Sequence, residues 1–187
     1  MSENQKPTFK EDYFRMTGRD WNKESMISRV RTCLPSHALR CIHAYRKVQR
    51  NEDPLGFYRG ILRSMAGKFG LGLESLSIGR GLYLGHPYNI FVGKYAVIGN
   101  NCNLNKGVSI GSKTGGDETD MPVLGDRVWV GVNAVIAGRI TVGSNVLIAP
   151  NAYVDFDVPD NAVVIGNPAQ IYSGRGDAVE GYIHNVC

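Results

Sequence analysis

Aliphatic residues return every six positions through the second half of this chain. They stand at Ile78, Leu84 and Ile90, slip by two to Val92, and continue at Ile98, Leu104 and Ile110. After a gap the beat resumes at Leu124, Val130, Ile136, Val142, Ile148 and Val154. Glycine follows eight of these thirteen anchors. Four positions after most of them stands a second small or apolar residue: Leu82, Ala96, Cys102, Val108, Val128, Ala134, Ile140, Val146 and Ala152. Such a period matches neither a helix, at about 3.6, nor a single long strand, at about 2. It suits a short strand and a tight corner, repeated, with every anchor aimed at one axis. Three hexads close a triangular coil of about 18 residues, and stacked coils bury the anchors in a continuous column. Glycine beside an anchor relieves crowding where the backbone turns. A set of unrelated short strands packed as a sandwich is the alternative.

Before residue 70 the pattern is different. Glycine is sparse and apolar residues recur at helical spacing. Leu39, Ile42 and Tyr45 follow a Ser36 cap, and Phe57, Tyr58, Ile61, Leu62 and Met65 follow Pro54. Residues 8–69 therefore read as a few helices, broken near Pro35 and at Asp53-Pro54. The organisation expected is a helical segment at 1–70, a repeat domain at 71–172 carrying a loop at 112–121, and a tail at 173–187.

Composition narrows the function classes. Apolar residues make up 43% of the 187 and charged residues 20%, ordinary for a globular chain. No apolar run is long enough to span a bilayer, so no membrane insertion is expected. The polar start, "MSENQKPTFKEDYF", carries both signs of charge and does not read as a leader peptide. Cys33, Cys41, Cys102 and Cys187 show no CxxC spacing and read as reduced thiols of a cytoplasmic protein. A net charge of +4 without Lys/Arg runs interleaved with aromatics argues against nucleic acid.

The stretches "IGRGLYLGHPYNIFVGKYAVIGNNCNLNKGVSIG", "TGGDETDMPVLGDRVWVGVNAVIAG" and "VVIGNPAQI" resemble the hexapeptide-repeat acyltransferases, and within them residues 76–172 look most like serine acetyltransferases. The resemblance implies a mainly β chain folded as a left-handed parallel β-helix behind its short N-terminal α-helical segment. The usual crossover rule would predict the opposite hand. It also implies acetyl-CoA as co-substrate, no metal, and a homotrimer, with paired trimers as a further assembly. Two departures matter. The serine enzymes carry Asp-His where this chain has Gly85-His86, and Arg-His-Pro after "GGD" where this chain reads "GGDETDMP". The missing charges would have gripped the amino acid, and "GLYLGHP" resembles acetyltransferases of polysaccharide synthesis. A sugar hydroxyl is thus the favoured acceptor, with serine, or the amine of an amino sugar, as alternatives.

His86 is the third residue of its hexad, an outward corner position. Imidazole as a group titrates near neutrality, so there it can take the acceptor's proton as general base while the hydroxyl attacks the thioester. Pro87 stiffens the corner. A group fixing the ring's tautomer is expected, and Glu74 is the nearest upstream acid. Tyr88, Asn89 and the loop's Asp117 are candidate acceptor contacts. The resemblance places CoA along coil corners at Gly111, Ser112, Lys113, Gly131, Val132, Ala149 and Pro150. Backbone N–H groups near Gly111-Ser112 serve as oxyanion donors, and Lys113 and Arg175 are candidates for the nucleotide's phosphates. Cys102 occupies an inward slot, so direct transfer without an acyl-enzyme is expected. A zinc hydratase on the same scaffold would need three histidines in the repeat, where only His86 lies. A non-catalytic assembly module would need neither the histidine nor the loop.

Overall fold

A computed structural model describes residues 6–173 and 177–187. Helix α1 (Phe9–Thr17) opens on a capping box formed by Thr8 and Glu11. A 3₁₀ turn at Trp21–Lys23 leads to α2 (Met26–Cys33), α3 (His37–Gln49) and α4 (Phe57–Phe69). The Ser36 cap is in place: its hydroxyl accepts the Leu39 N–H at 3.2 Å. At the other break, the Asp53 carboxylate accepts the Tyr58 and Arg59 N–H groups at 3.0 Å each and starts α4.

From Leu71 the chain winds through three parallel sheets, one residue run per sheet per turn. The first holds β1 (Leu71–Leu73), β4 (Ile90–Val92), β7 (Ser109–Gly111), β10 (Val135–Ala137) and β13 (Tyr153–Val154). The second holds β2 (Ser77–Ile78), β5 (Val97–Ile98), β8 (Val123–Leu124) and β11 (Thr141–Val142). The third holds β3 (Tyr83–Gly85), β6 (Asn103–Asn105), β9 (Trp129–Val130), β12 (Leu147–Ile148) and β14 (Val163–Gly166), with β15 (Ala169–Tyr172) turning back antiparallel. This is the left-handed parallel β-helix expected. The registers align anchor on anchor: Ile78 with Ile98 and Leu124, Leu84 with Leu104 and Val130, Val92 with Ile110 and Ile136. All thirteen anchors are buried, none more than 2% exposed, and the nine i+4 residues are buried with them. At about 25 cal/mol per Å² that column is the main source of stability in this half of the chain.

The two-residue slip in the repeat has a structural meaning. Leu84 and Val92 pair with Leu104 and Ile110, so eight positions on one coil span what six span on the next. The surplus is the corner His86-Pro87-Tyr88-Asn89, which bulges from the prism. Its two ends are left-handed, with φ of 47° at His86 and 53° at Asn89.

Helix α1 is fastened to the coils by buried polar groups. The Arg46 guanidinium donates to Asp12 Oδ2 and Oδ1 at 2.6 and 2.8 Å, and to the Ile78 and Gly79 carbonyls at 2.8 and 2.6 Å. Asp12 also accepts the Leu82 N–H at 2.8 Å. Burial works against both charges; Asp12 outweighs it at Arg46 and holds that guanidinium above its usual range. Arg15 donates to the Gly81 carbonyl at 3.1 Å and to Asn103 Oδ1. Residues 177–187 run back over the third sheet. Val179 and Ile183 bury against Leu147, Trp129 and Ala149, and Asn185 donates to the Arg15 carbonyl at 3.4 Å.

Candidate active site

His86 is exposed on the bulged corner. The corner is held rather than loose. The His86 carbonyl accepts the Tyr88 N–H at 2.8 Å, closing a tight turn around Pro87. The Asn89 N–H donates to the Phe69 carbonyl and the Gly107 N–H to the Tyr88 carbonyl, 2.9 Å each. His37, the first residue of α3, sits 3.1 Å from the Pro87 carbonyl through Nε2 and stacks on Phe69 with centroids 4.5 Å apart. Tyr88 packs against the edges of both rings, at 4.9 and 5.8 Å. Tyr88 and Asn89 thus have a structural part in shaping the corner, and Tyr88 keeps 43% of its surface open. The sequence offered no sign of His37 here, because its contact reaches across fifty positions.

On its third-sheet side His86 lines a cavity of about 390 Å³ with Arg15, Asn103, Asn105, Tyr182 and His184 among its walls. Trp129 and Tyr182 meet edge to face at 5.1 Å across it. The stretch 177–187, expected as a tail, therefore roofs the cleft beside the histidine. Asn105 also explains the first departure from Asp-His. Its side chain lies against Gly85, where any Cβ would collide with Asn105 Oδ1, and it donates to the Val130 carbonyl at 2.7 Å.

The other expected residues divide between two edges of the prism. Gly131, Val132, Ala149 and Pro150 stack in register below Lys106 and His86, at corners leading from the third sheet to the first. Gly131 lies flat on the Ala149–Pro150 peptide, with no room for a side chain. Gly111, Ser112, Lys113 and Asp117 lie at the other end of the first-sheet strands, in the loop that precedes β8. A three-residue strand puts about 10 Å between the two edges. Glu74 also lies at this far edge, following β1, so the structure does not bring it to His86; the third-to-first corner that carries the histidine holds no acid.

Within the loop, one Asp117 oxygen accepts the Thr119 N–H at 2.8 Å and its hydroxyl at 2.7 Å, which holds the exposed carboxyl below its usual range. Met121 packs over Gly93 and onto the core as an apolar plug. Lys113 bridges to Asp155 at 2.9 Å and Arg127 to Asp177 at 2.6 Å. Arg175 falls outside the described residues. Cys102 is wholly buried, its thiol pushed up to about 12 by desolvation, so it is neither accessible nor ionised as a nucleophile needs.

Comparison with known proteins agrees with this architecture. The family described as bacterial transferase hexapeptide (six repeats) matches residues 121–155. Serine acetyltransferase of Helicobacter pylori strain 26695 is 31% identical over 137 residues, covering 72% of this chain and 78% of the relative. Serine acetyltransferase 2 of Arabidopsis thaliana is 35% identical over 105 residues, 55% of this chain. The chain spans only 32% of that plant relative. The crystal structure of Neisseria gonorrhoeae serine acetyltransferase matches with a TM-score of 0.71 at 28% identity, covering 88% of this chain and 64% of that one.

Proposed function

This chain belongs to the serine acetyltransferase family, and on that premise we propose that it moves an acetyl group from acetyl-CoA directly to a hydroxyl, with serine as acceptor and His86 as general base. The carrying observation is an exposed imidazole held on a rigid, bulged coil corner, facing a cleft that also contains a guanidinium. The saccharide acceptor favoured from the sequence finds no support among the relatives; serine, the alternative, fits them better.

The imidazole takes the hydroxyl proton as the oxygen attacks the thioester carbonyl. The tetrahedral intermediate then expels the CoA thiolate, which recovers that proton from the imidazolium. Backbone N–H groups near Gly111-Ser112 are proposed to receive the oxyanion. Arg15, buried in the wall of the cleft with its Nε and Nη2 donating to Gly81 and Asn103, adds positive potential there for an acceptor carboxylate. With Glu74 on another edge, the ring is oriented by its corner: the turn at Pro87 and the His37–Phe69–Tyr88 stack behind it.

The division of the site supports a trimer. One edge of each prism carries His86 and the stacked corners, and the opposite edge of the same sheet carries the loop. Around a threefold axis, the first edge of one copy meets the second edge of its neighbour, a head-to-tail contact that closes into a ring. CoA would lie between them.

Incubating the protein with acetyl-CoA, L-serine and a thiol reagent tests the reading. Serine-dependent thiol release should fall about 10²–10⁴-fold in His86→Ala. Release unaffected by that substitution overturns the base assignment. Turnover with sugars and none with serine overturns the acceptor.

A further inference from the structure

Helix α2 buries none of its residues. Met26, Ile27, Val30 and the capping Leu34 form one stripe and are 79, 68, 49 and 65% exposed. Spacing of this kind ordinarily marks the side of a helix that packs on something. The stripe runs into a cavity of about 450 Å³ between α2, α3 and α4, lined by Phe9, Trp21, Val30, Leu34, Ile61 and Met65. Phe57, one turn before Ile61 on α4, adds a further 66% exposed ring, and Leu55 beside it is 94% exposed. An exposed apolar stripe leading into such a cavity is uncommon on a chain with no partner.

The charge of this segment bears on what covers it. Residues 24–74 carry nine Lys and Arg residues and four acids, Glu24 among them accepting the Ser28 hydroxyl at the start of α2. Two of the acids pair with bases: Glu52 with Lys47 and Arg50, Asp53 with Arg59. Arg29, Arg31, Arg40, Arg63 and Lys68 stand outside those pairs. Arg29 and Arg40 stand at the cavity wall itself, Arg29 over the Trp21 ring at 4.7 Å. A second copy docking through the same face would set this basic field against itself. A surface that is apolar at its centre and negative around it satisfies both features.

We propose that the α2 stripe and its cavity are a docking face for an anionic lipid surface. Helix α2 would lie in the plane of the headgroups with Met26, Ile27 and Leu34 inserted, and the arginines paired with lipid phosphates. No helix among the described residues is long and apolar enough to cross a membrane, so the contact is one of lying on the bilayer. His86 lies on a coil corner outside this stripe, which leaves acetyl transfer independent of the docking.

Co-sedimentation of the full chain with vesicles tests this. Vesicles of phosphatidylcholine with about a third phosphatidylglycerol should bind the protein, while phosphatidylcholine alone binds it at least about tenfold more weakly. The triple variant Met26→Ser/Ile27→Ser/Leu34→Ser should lose binding to the anionic vesicles by about tenfold or more. Arg31→Glu should weaken it at low salt, and all three proteins should keep the same acetyl-transfer rate. The proposal is overturned by absence of binding to anionic vesicles at low salt, or by equal binding of the triple variant. A mass in sedimentation velocity that halves in the triple variant, with no vesicle binding, would instead assign the face to a second copy. None of these failures touches the acetyl-transfer reading.

Discussion

From Ile78 to Val154 the residues that hold the chain are aliphatic, many, and interchangeable in kind. From Phe9 to Phe69 the fastening to the coils is mixed: Ala38, Cys41, Ile42, Tyr45 and Met65 join the coil core, and beside them stand buried polar pins specific to single atoms. In the coils each anchor meets its counterpart above and below, so the energy is spread along a column. In the helices, two arginines and one aspartate are the buried charged part of the connection to the first coil. A distributed column tolerates small losses at many places, whereas a few polar pins tolerate none at their own. The contrast lies in the charges: the coils close on aliphatic anchors alone, whereas the helical segment adds buried ionic contacts to its apolar one.

The strongest way to break this contrast is Asp12→Ala. It strands the Arg46 charge in a buried site and removes the acceptor for Leu82, and it should destabilise the chain by about 3–5 kcal/mol. Urea unfolding measured by circular dichroism checks this, and a cost below about 1 kcal/mol would show that the pins are dispensable. Ile136→Ala, at the centre of the column, should cost about 2–5 kcal/mol in the same measurement, with the cavity shared among neighbouring coils. Gly85→Asp restores the acid that the resembled family carries, and should cost about 1–3 kcal/mol because Asn105 occupies its place. Asn105→Gly in the same chain should recover part of that loss.

Much of the coil architecture was legible because its signal is redundant. Thirteen anchors and their i+4 partners repeat one instruction, and the two-residue slip was legible between Ile90 and Val92, while its place at the His86 corner came from the register. The helix breaks at Pro35 and Asp53 were legible from local capping chemistry. What could not be read were single contacts across long separations. His37 under the Pro87 turn, Arg15 in the cleft, and His184 and Tyr182 on its roof belong to segments with no periodic relation to the coils. Glu74 shows how nearness in sequence differs from nearness in space: a triangular coil puts residues twelve positions apart on different edges of one copy. Lys113 read as a cation for phosphate because nothing in the sequence shows that Asp155 lies beside it.

Residues 182–187 reach back to the very start of the fold. Asn185 bonds the Arg15 carbonyl across 170 positions, and the Cys187 N–H donates to Asn101 Oδ1 at 3.0 Å. During synthesis the coils can wind as they leave the ribosome, since each leans only on its neighbour. The chamber beside His86 closes only after residues 177–187 have emerged and settled over the third sheet. A nascent chain would thus carry a wound scaffold before it has a complete pocket.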